Sequence, residues 1–314
     1  MRPLLFYMIV LALPASAQKN TSFYDYLWKP CEPAQARFFS NVTRTDSGWL
    51  RGDYFVSTYK PQMIGLYEDS ATEIGNGYFR YYYASGILEQ YGKRIHNKDD
   101  GLWLTFYQNG AIEDSIVLKE GNPVGVHMRW HYNGYPADSM VYGNDETAVE
   151  VEWNSNGLPS AAGRWQYGKR IGPWQFFHNN GKLAAGELYD TGRLVSGTYF
   201  DKDGMMQDSA VNREMAQFPG GEEKWLNFVH KHIYFPGEYH ITHADSATVV
   251  IGALIDEDGN VQEPFVKVPF NKLFDDIALN VFKKSPKWLP AVKNNRAVMS
   301  GVLEAITFRQ KNRE

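Results

Sequence analysis

The chain has 314 residues, 15% of them aromatic, with 28 glycines and a formal charge of −4. That length allows about two domains, and the composition favours strands and tight turns over helical bundles. The near-balance of charge argues against nucleic acid or an anionic membrane surface as partner, and a single cysteine, Cys31, excludes an internal disulfide.

Residues 1–17 read as an export signal. Arg2 is a minimal positive start, residues 4–13 are an apolar core, Pro14 breaks it, and Ala15-Ser16-Ala17 form a small-residue cleavage site before Gln18. The core would make a helix of roughly 15 Å, about half the thickness of a bilayer interior. Cleavage rather than anchoring is therefore expected, and no later apolar run is long enough to span a membrane. Loss of Arg2 leaves 31 basic residues against 36 acidic ones, a charge of −5. Residues 18–47 contain Pro30, Pro33 and a short helix-like stretch at 34–39, and read as a cap over the first edge of a sheet.

Residues 48–208 carry a repeat. Gly86, Gly110, Gly134, Gly157, Gly181 and Gly204 recur at spacings of 24, 24, 23, 24 and 23. Four residues before each stands a ring: Tyr82, Phe106, Trp130, Trp153, Phe177 and Phe200. Four of the glycines follow Asn, the pair preferred by a two-residue type I′ turn, so each unit reads as a β-hairpin with a looser turn, such as 121–125, leading to the next. Six hairpins give twelve strands in an antiparallel meander, preceded by a degraded hairpin with strands at 50–57 and 62–67. Trp103 and Phe106, like Trp174 and Phe177, are three apart and fall on opposite faces of a regular strand. The ring row is then either structural, each ring stacking on its neighbour, or part of a binding face.

The units resemble MORN-like repeats. The Gly-x-Trp starts (101–103 and 172–174), the Asn-Gly turns and the Gly-Lys-x-x-Gly connections carry the likeness. The resemblance implies a scaffold or binding surface.

Residues 212–314 change pattern. A turn at 218–221 precedes an amphipathic helix that opens on Glu222-Glu223 and carries Trp225, Phe228, Val229, His232 and Ile233 at helical spacing. A strand at 248–255, an Asp258-Gly259 turn and a return strand at 261–268 follow. A second helix at 274–284 and a last strand at 298–308 complete an α-β-β-α-β order, a three-stranded sheet with two helices on one face. The whole is expected to be mainly β with a C-terminal α+β domain.

Phe-Pro-Gly-Gly at 218–221, Phe235-Pro236, Asp-Glu-Asp-Gly at 256–259, Pro-Lys-Trp-x-Pro at 286–290 and the closing Thr307-Phe308-Arg309 resemble the C-terminal domain of TonB-family proteins, in the form common in Bacteroidetes. Residues 239–247 depart from the smoother lead into the first strand usual in that family. The resemblance implies a domain that accepts an extended peptide of an outer-membrane transporter, or of another envelope protein, as an added strand. The docking edge would be the last strand, at Val302, Glu304, Ile306, Thr307 and Phe308. The family's energy-transducing members carry an uncleaved helix and a long Pro-rich spacer. Neither is expected here, so only the binding activity is carried over.

Catalytic, cofactor and phosphate-binding motifs are not found in the sequence. His230, His232, His240 and His243 with Asp245 give a competing reading, an envelope metal-binding protein or hydrolase, although His230 and His232 point in different directions on a helix. The 256–260 turn partly resembles a calcium loop. Lys283, Lys284, Lys287, Lys293 and Arg296 read as a solvated rim, and Glu146, Glu150 and Glu152 form no marked acid–base pair. The expectation is an exported, non-enzymatic binding or scaffold protein, periplasmic or outer-membrane associated in a Gram-negative cell. A further alternative is that the C-terminal domain only caps the repeat sheet.

Overall fold

The computed structural model describes residues 20–143, 145–242 and 244–310. The proposed export signal at 1–17 lies outside these residues. The chain begins with β1 (Asn20–Tyr24), β2 (Phe38–Thr45), β3 (Gly48–Phe55), β4 (Pro61–Tyr67) and β5 (Gly75–Tyr82). It continues through β6 (Leu88–Ile95), β7 (Lys98–Phe106), β8 (Ile112–Lys119), β9 (Asn122–Trp130) and β10 (Pro136–Tyr142). Then come β11 (Thr147–Trp153), β12 (Pro159–Gln166), β13 (Lys169–Phe177), β14 (Leu183–Asp190), β15 (Arg193–Phe200) and β16 (Met206–Gln207). All sixteen form one antiparallel sheet in chain order.

The six repeat glycines close the hairpins β5–β6 to β15–β16, and β3–β4 is the degraded hairpin. Residues 20–45 differ from the expected cap, because β1 and β2 extend the same sheet. The helix-like stretch at 34–39 is a single 3-10 turn at Pro33–Gln35. Phe38 and Phe39 already belong to a strand whose register sets Phe38 against Phe55 in a small apolar cluster.

The turns are the reverse of the expectation. At the repeat glycines only the glycine has a positive φ, between 80° and 91°. The amide of Gly110 donates to Tyr107 O at 2.9 Å and the amide of Tyr107 to Ala111 O at 2.9 Å, which makes a type I turn closed by a glycine bulge, not a type I′ turn. The two-residue type I′ turns lie at the opposite ends of the hairpins, at His96-Asn97, Glu120-Gly121, Tyr167-Gly168 and Thr191-Gly192, where both residues have positive φ. The asparagines serve another purpose. Asn133 accepts from the amide of Tyr135 at 3.1 Å and donates to Ser155 O in the next hairpin at 2.7 Å. Asn156 reaches Asn179 O at 2.7 Å and Asn180 reaches Lys202 O at 2.8 Å in the same way. Each asparagine therefore stitches one hairpin to the next.

The tryptophans of the Gly-x-Trp starts are seated by glycines outside that pattern, since a Cβ on Gly101 or Gly172 would meet nothing. Trp103 lies over Gly92 of the preceding strand and Trp174 over Gly163. A Cβ on either glycine would stand 2.0 or 2.1 Å from the indole. The indole N–H groups donate to Lys93 O at 3.1 Å and Arg164 O at 3.2 Å. Both tryptophans are almost fully buried, and Arg170 lies 4.4 Å over Trp174.

The C-terminal region adds α1 (Gly221–His232), β17 (Ser246–Ile255), β18 (Val261–Val268), α2 (Lys272–Lys283), β19 (Ala291–Lys293), β20 (Arg296–Val298) and β21 (Ser300–Arg309). The sheet order is β18-β17-β21, antiparallel throughout. Alternate residues of β17 (Val249, Ile251, Ala253, Ile255) meet Trp225 and Val229 of α1 and Phe274, Ile277, Val281 and Phe282 of α2 in one core. Asn271 caps α2 by accepting from the amide of Leu273 at 3.0 Å. The 256–260 turn is held by its own groups, with Asp256 accepting from the amides of Asp258 and Asn260. No helix among the described residues is long and apolar enough to cross a membrane.

The other face of this small sheet packs on the meander, giving a helix–sheet–sheet order of layers. Near the start of the meander, Arg37 donates to Thr248 O and Pro269 O, both at 3.0 Å, and covers Phe270. Val250 and Val268 join Phe38 and Phe55. Further along, Glu89 pairs with Lys267 and Ser155 donates to Glu257 at 2.8 Å. The unexpected β19–β20 hairpin, turning at Asn294-Asn295, clasps the far end through Asn294 to Glu187 and Asn295 to Phe200 O.

Candidate docking edge and interlayer cavity

β21 has a partner, β17, on one side only. The amide of Gln310 donates to Asp245 O at 2.9 Å. By antiparallel alternation the even-numbered residues of β21 exchange hydrogen bonds with β17. The backbone groups of Gly301, Leu303, Ala305, Thr307 and Arg309 consequently point away from the sheet, unpaired among the described residues.

The side chains of the five proposed docking residues divide accordingly. Val302, Ile306 and Phe308 are buried in the core. Glu304 accepts from Trp225 Nε1 at 3.0 Å, and burial raises its carboxyl above the ordinary range. Thr307 lies on the exposed face, 3.0 Å from Thr248 Oγ1. Leu303, which the sequence reading passed over, is 64% exposed. Beside the C-terminal half of β21 runs an open groove of about 1370 Å³, lined by His230, Tyr234, Phe235, Tyr239 and residues 307–310. Gln310 ties the far wall to the strand by accepting from the amide of Ile241 at 2.8 Å.

His230 and His240 line this groove. His232 instead stacks on Phe228 and hydrogen-bonds to its carbonyl at 2.7 Å. Among the described residues no three of these histidines and Asp245 come within ligand distance of one another; His243 lies outside the described residues.

All six rings of the repeat row are half-buried. The residue after each ring is the more buried one, except at Asp201. Tyr83 and Tyr107 donate from their hydroxyls to Phe106 O at 2.8 Å and Trp130 O at 2.7 Å. His131 and His178 bond to Trp153 O at 2.9 Å and Phe200 O at 3.0 Å. This ladder shares the period of the ring row, one position on, and that periodicity was the signal for it.

Trp130 and Trp153 also line a second, partly open cavity of about 470 Å³ between the meander and the C-terminal sheet. The register sets Asp138 of β10 directly opposite Glu152 of β11. Carboxylate oxygens of Asp138, Glu150 and Glu152 lie within 4.8 Å of one another. Arg129 pairs with Asp138 at 3.0 Å, Arg296 with Glu152 at 2.6 Å, and Trp165 Nε1 donates to Glu150 at 2.9 Å. Burial, with Glu152 and Asp138 nearby, pushes the Glu150 carboxyl up to about 7. Glu113 is likewise raised, chiefly by burial. A divalent cation would find three candidate oxygens here, but two of the three acids are already neutralised by arginine. Arg296 is thus no part of a solvated rim, being only 3% exposed. A scan against protein-family models finds no match, and no curated protein matches the chain.

Proposed function

We propose that the protein is an exported, non-enzymatic binding protein of the cell envelope, in which β21 accepts an extended peptide of a partner as a fourth strand. The observation that carries this reading is the ten-residue strand paired on one side only, with five outward-facing residues and a groove alongside. The TonB-like motifs at 218–221, 235–236 and 286–290 support it and make an outer-membrane transporter segment the expected partner. The MORN-like meander serves as the rigid support on which the small sheet rests. Location in the envelope rests on the signal-like residues 1–17.

Proline at an outward-facing position removes a backbone donor that the fold does not use, and edge positions tolerate it. Ala305→Pro is therefore expected to leave the melting temperature nearly unchanged and to abolish strand addition. Envelope proteins captured by the parent chain should be lost with this variant; equal capture by both would refute docking at β21. A second reading, that the domain serves only to brace the meander, is favoured by the contacts of its inner face with β2 through β15. It predicts that residues 212–314 are unfolded in isolation, whereas their continuous core predicts a folded fragment.

A further inference from the structure

Among the described residues, four buried side-chain polar atoms lack any hydrogen-bond partner: Arg170 Nε, His178 Nδ1, Arg296 Nε and Ser300 Oγ. Three of their residues, Arg170, Arg296 and Ser300, line the 470 Å³ cavity between the layers. Buried donors are seldom left unpaired, because each gives up its hydrogen bond to water with nothing in return. Their convergence on one space points to an occupant that presents acceptors. The guanidinium of Arg296 is otherwise committed, to Ser160 and Glu152, so its remaining N–H is fixed in direction.

The charge of the lining narrows the occupant. Four basic side chains (Arg129, Arg170, Lys293, Arg296) face four acidic ones (Glu113, Glu150, Glu152, Glu257). Arg296 is joined to Glu152, and Arg129 to Asp138, which is not among the lining residues. The cavity therefore has no large excess of either sign to offer an ion, yet it offers both unfilled donors and carboxyl oxygens. Three indoles, Trp130, Trp153 and Trp165, supply flat apolar surface beside these polar groups. The volume falls in the range of about 300–1,000 Å³ usual for small-ligand sites. We propose that this interlayer cavity is a binding site for a small neutral polyhydroxylated ligand of the saccharide class, held by Arg170, Arg296 and Ser300 and stacked on the tryptophans. The cavity meets only the start of β21, at Ser300 and Gly301, whereas the groove beside the strand runs along its C-terminal half.

The test is titration of the full chain with D-glucose, N-acetyl-D-glucosamine and cellobiose, read by tryptophan fluorescence, with citrate and phosphate as anionic controls. The expected result is a saturable change with at least one sugar. Its midpoint should weaken about tenfold in Ser300→Ala and in Arg296→Lys, as for loss of one buried hydrogen bond. Ser300→Ala should keep the parent melting temperature, which separates a lost contact from a lost fold. The proposal is overturned by the absence of a saturable response to all three sugars, which would leave ordered water as the donors' partner. It is equally overturned by a response that survives Ser300→Ala, or by saturation with citrate or phosphate alone.

Discussion

The meander and the C-terminal domain reach stability by different routes. In the meander every strand pairs only with its chain neighbours, and burial comes in separate patches, such as Met63–Phe79–Trp103 and Trp174–Phe176. In the C-terminal domain two helices and three strands share one continuous core. A repeat array behaves as a sum of local terms and neighbour interfaces, while a single core fails as a unit. The comparison teaches that the chain places its outward-facing edge on the more cooperative part and uses the repeats as a broad support.

The sharpest way to break this contrast is to empty one packing position in each region. Trp174→Ala and Phe282→Ala should each cost about 3–5 kcal/mol. Hydrogen exchange should then show loss of protection confined to β12–β14 in the first case and spread over α1, α2 and β17–β21 in the second. Uniform loss in both would mean that the meander, too, is a single cooperative unit.

A second, smaller effect lies in the interlayer cavity. Glu150 keeps its proton up to about pH 7 in the fold, against an ordinary value of 4.5. Between those values the folded chain holds a proton that the unfolded chain has released, so stability falls as pH rises from about 4.5 to about 7 and is then level. Glu150→Gln should flatten that slope, as read from urea midpoints at several pH values. An unchanged slope would place the titrating group elsewhere.

The smallest effect concerns the stitches between hairpins. Asn133→Ala removes bonds to Tyr135 and Ser155 and should lower stability by about 0.5–1.5 kcal/mol. The same substitution at Asn122, in the tight-turn end of β9, should change little. Equal losses would show that the asparagines act through local turn preference alone.

Much of the fold could be read from the sequence. The 23- to 24-residue period located β5 to β16, and helical spacing located α1 and α2. The turn types were not readable, because Asn-Gly suits both a type I′ turn and a glycine bulge. The same bulged turn forms at Ser85-Gly86 and Asp203-Gly204, where no asparagine stands, so the strand register and not the asparagine decides it. The β19–β20 hairpin was hidden among prolines and lysines at 286–296, and with it the burial of Arg296. Of the cavity's acids, Glu150 and Glu152 stand out in the sequence only beside Glu146, with no pair marked among them. Their approach to Asp138 depends on the pairing of β10 with β11, which residue spacing does not reveal. At the docking edge the strand itself was correctly placed, but which residues face outward follows from hydrogen-bond parity that only the register supplies.

The C-terminal domain grips the meander both at Arg37, ahead of the first full repeat, and at Phe200, close to the last. It therefore acts as a gauge of repeat number. In an array whose repeats contact only their neighbours, a unit added or removed would leave the other interfaces intact. Here an added or missing 24-residue hairpin would carry one grip out of reach of the other, so the span between them fixes the count at the value this chain has.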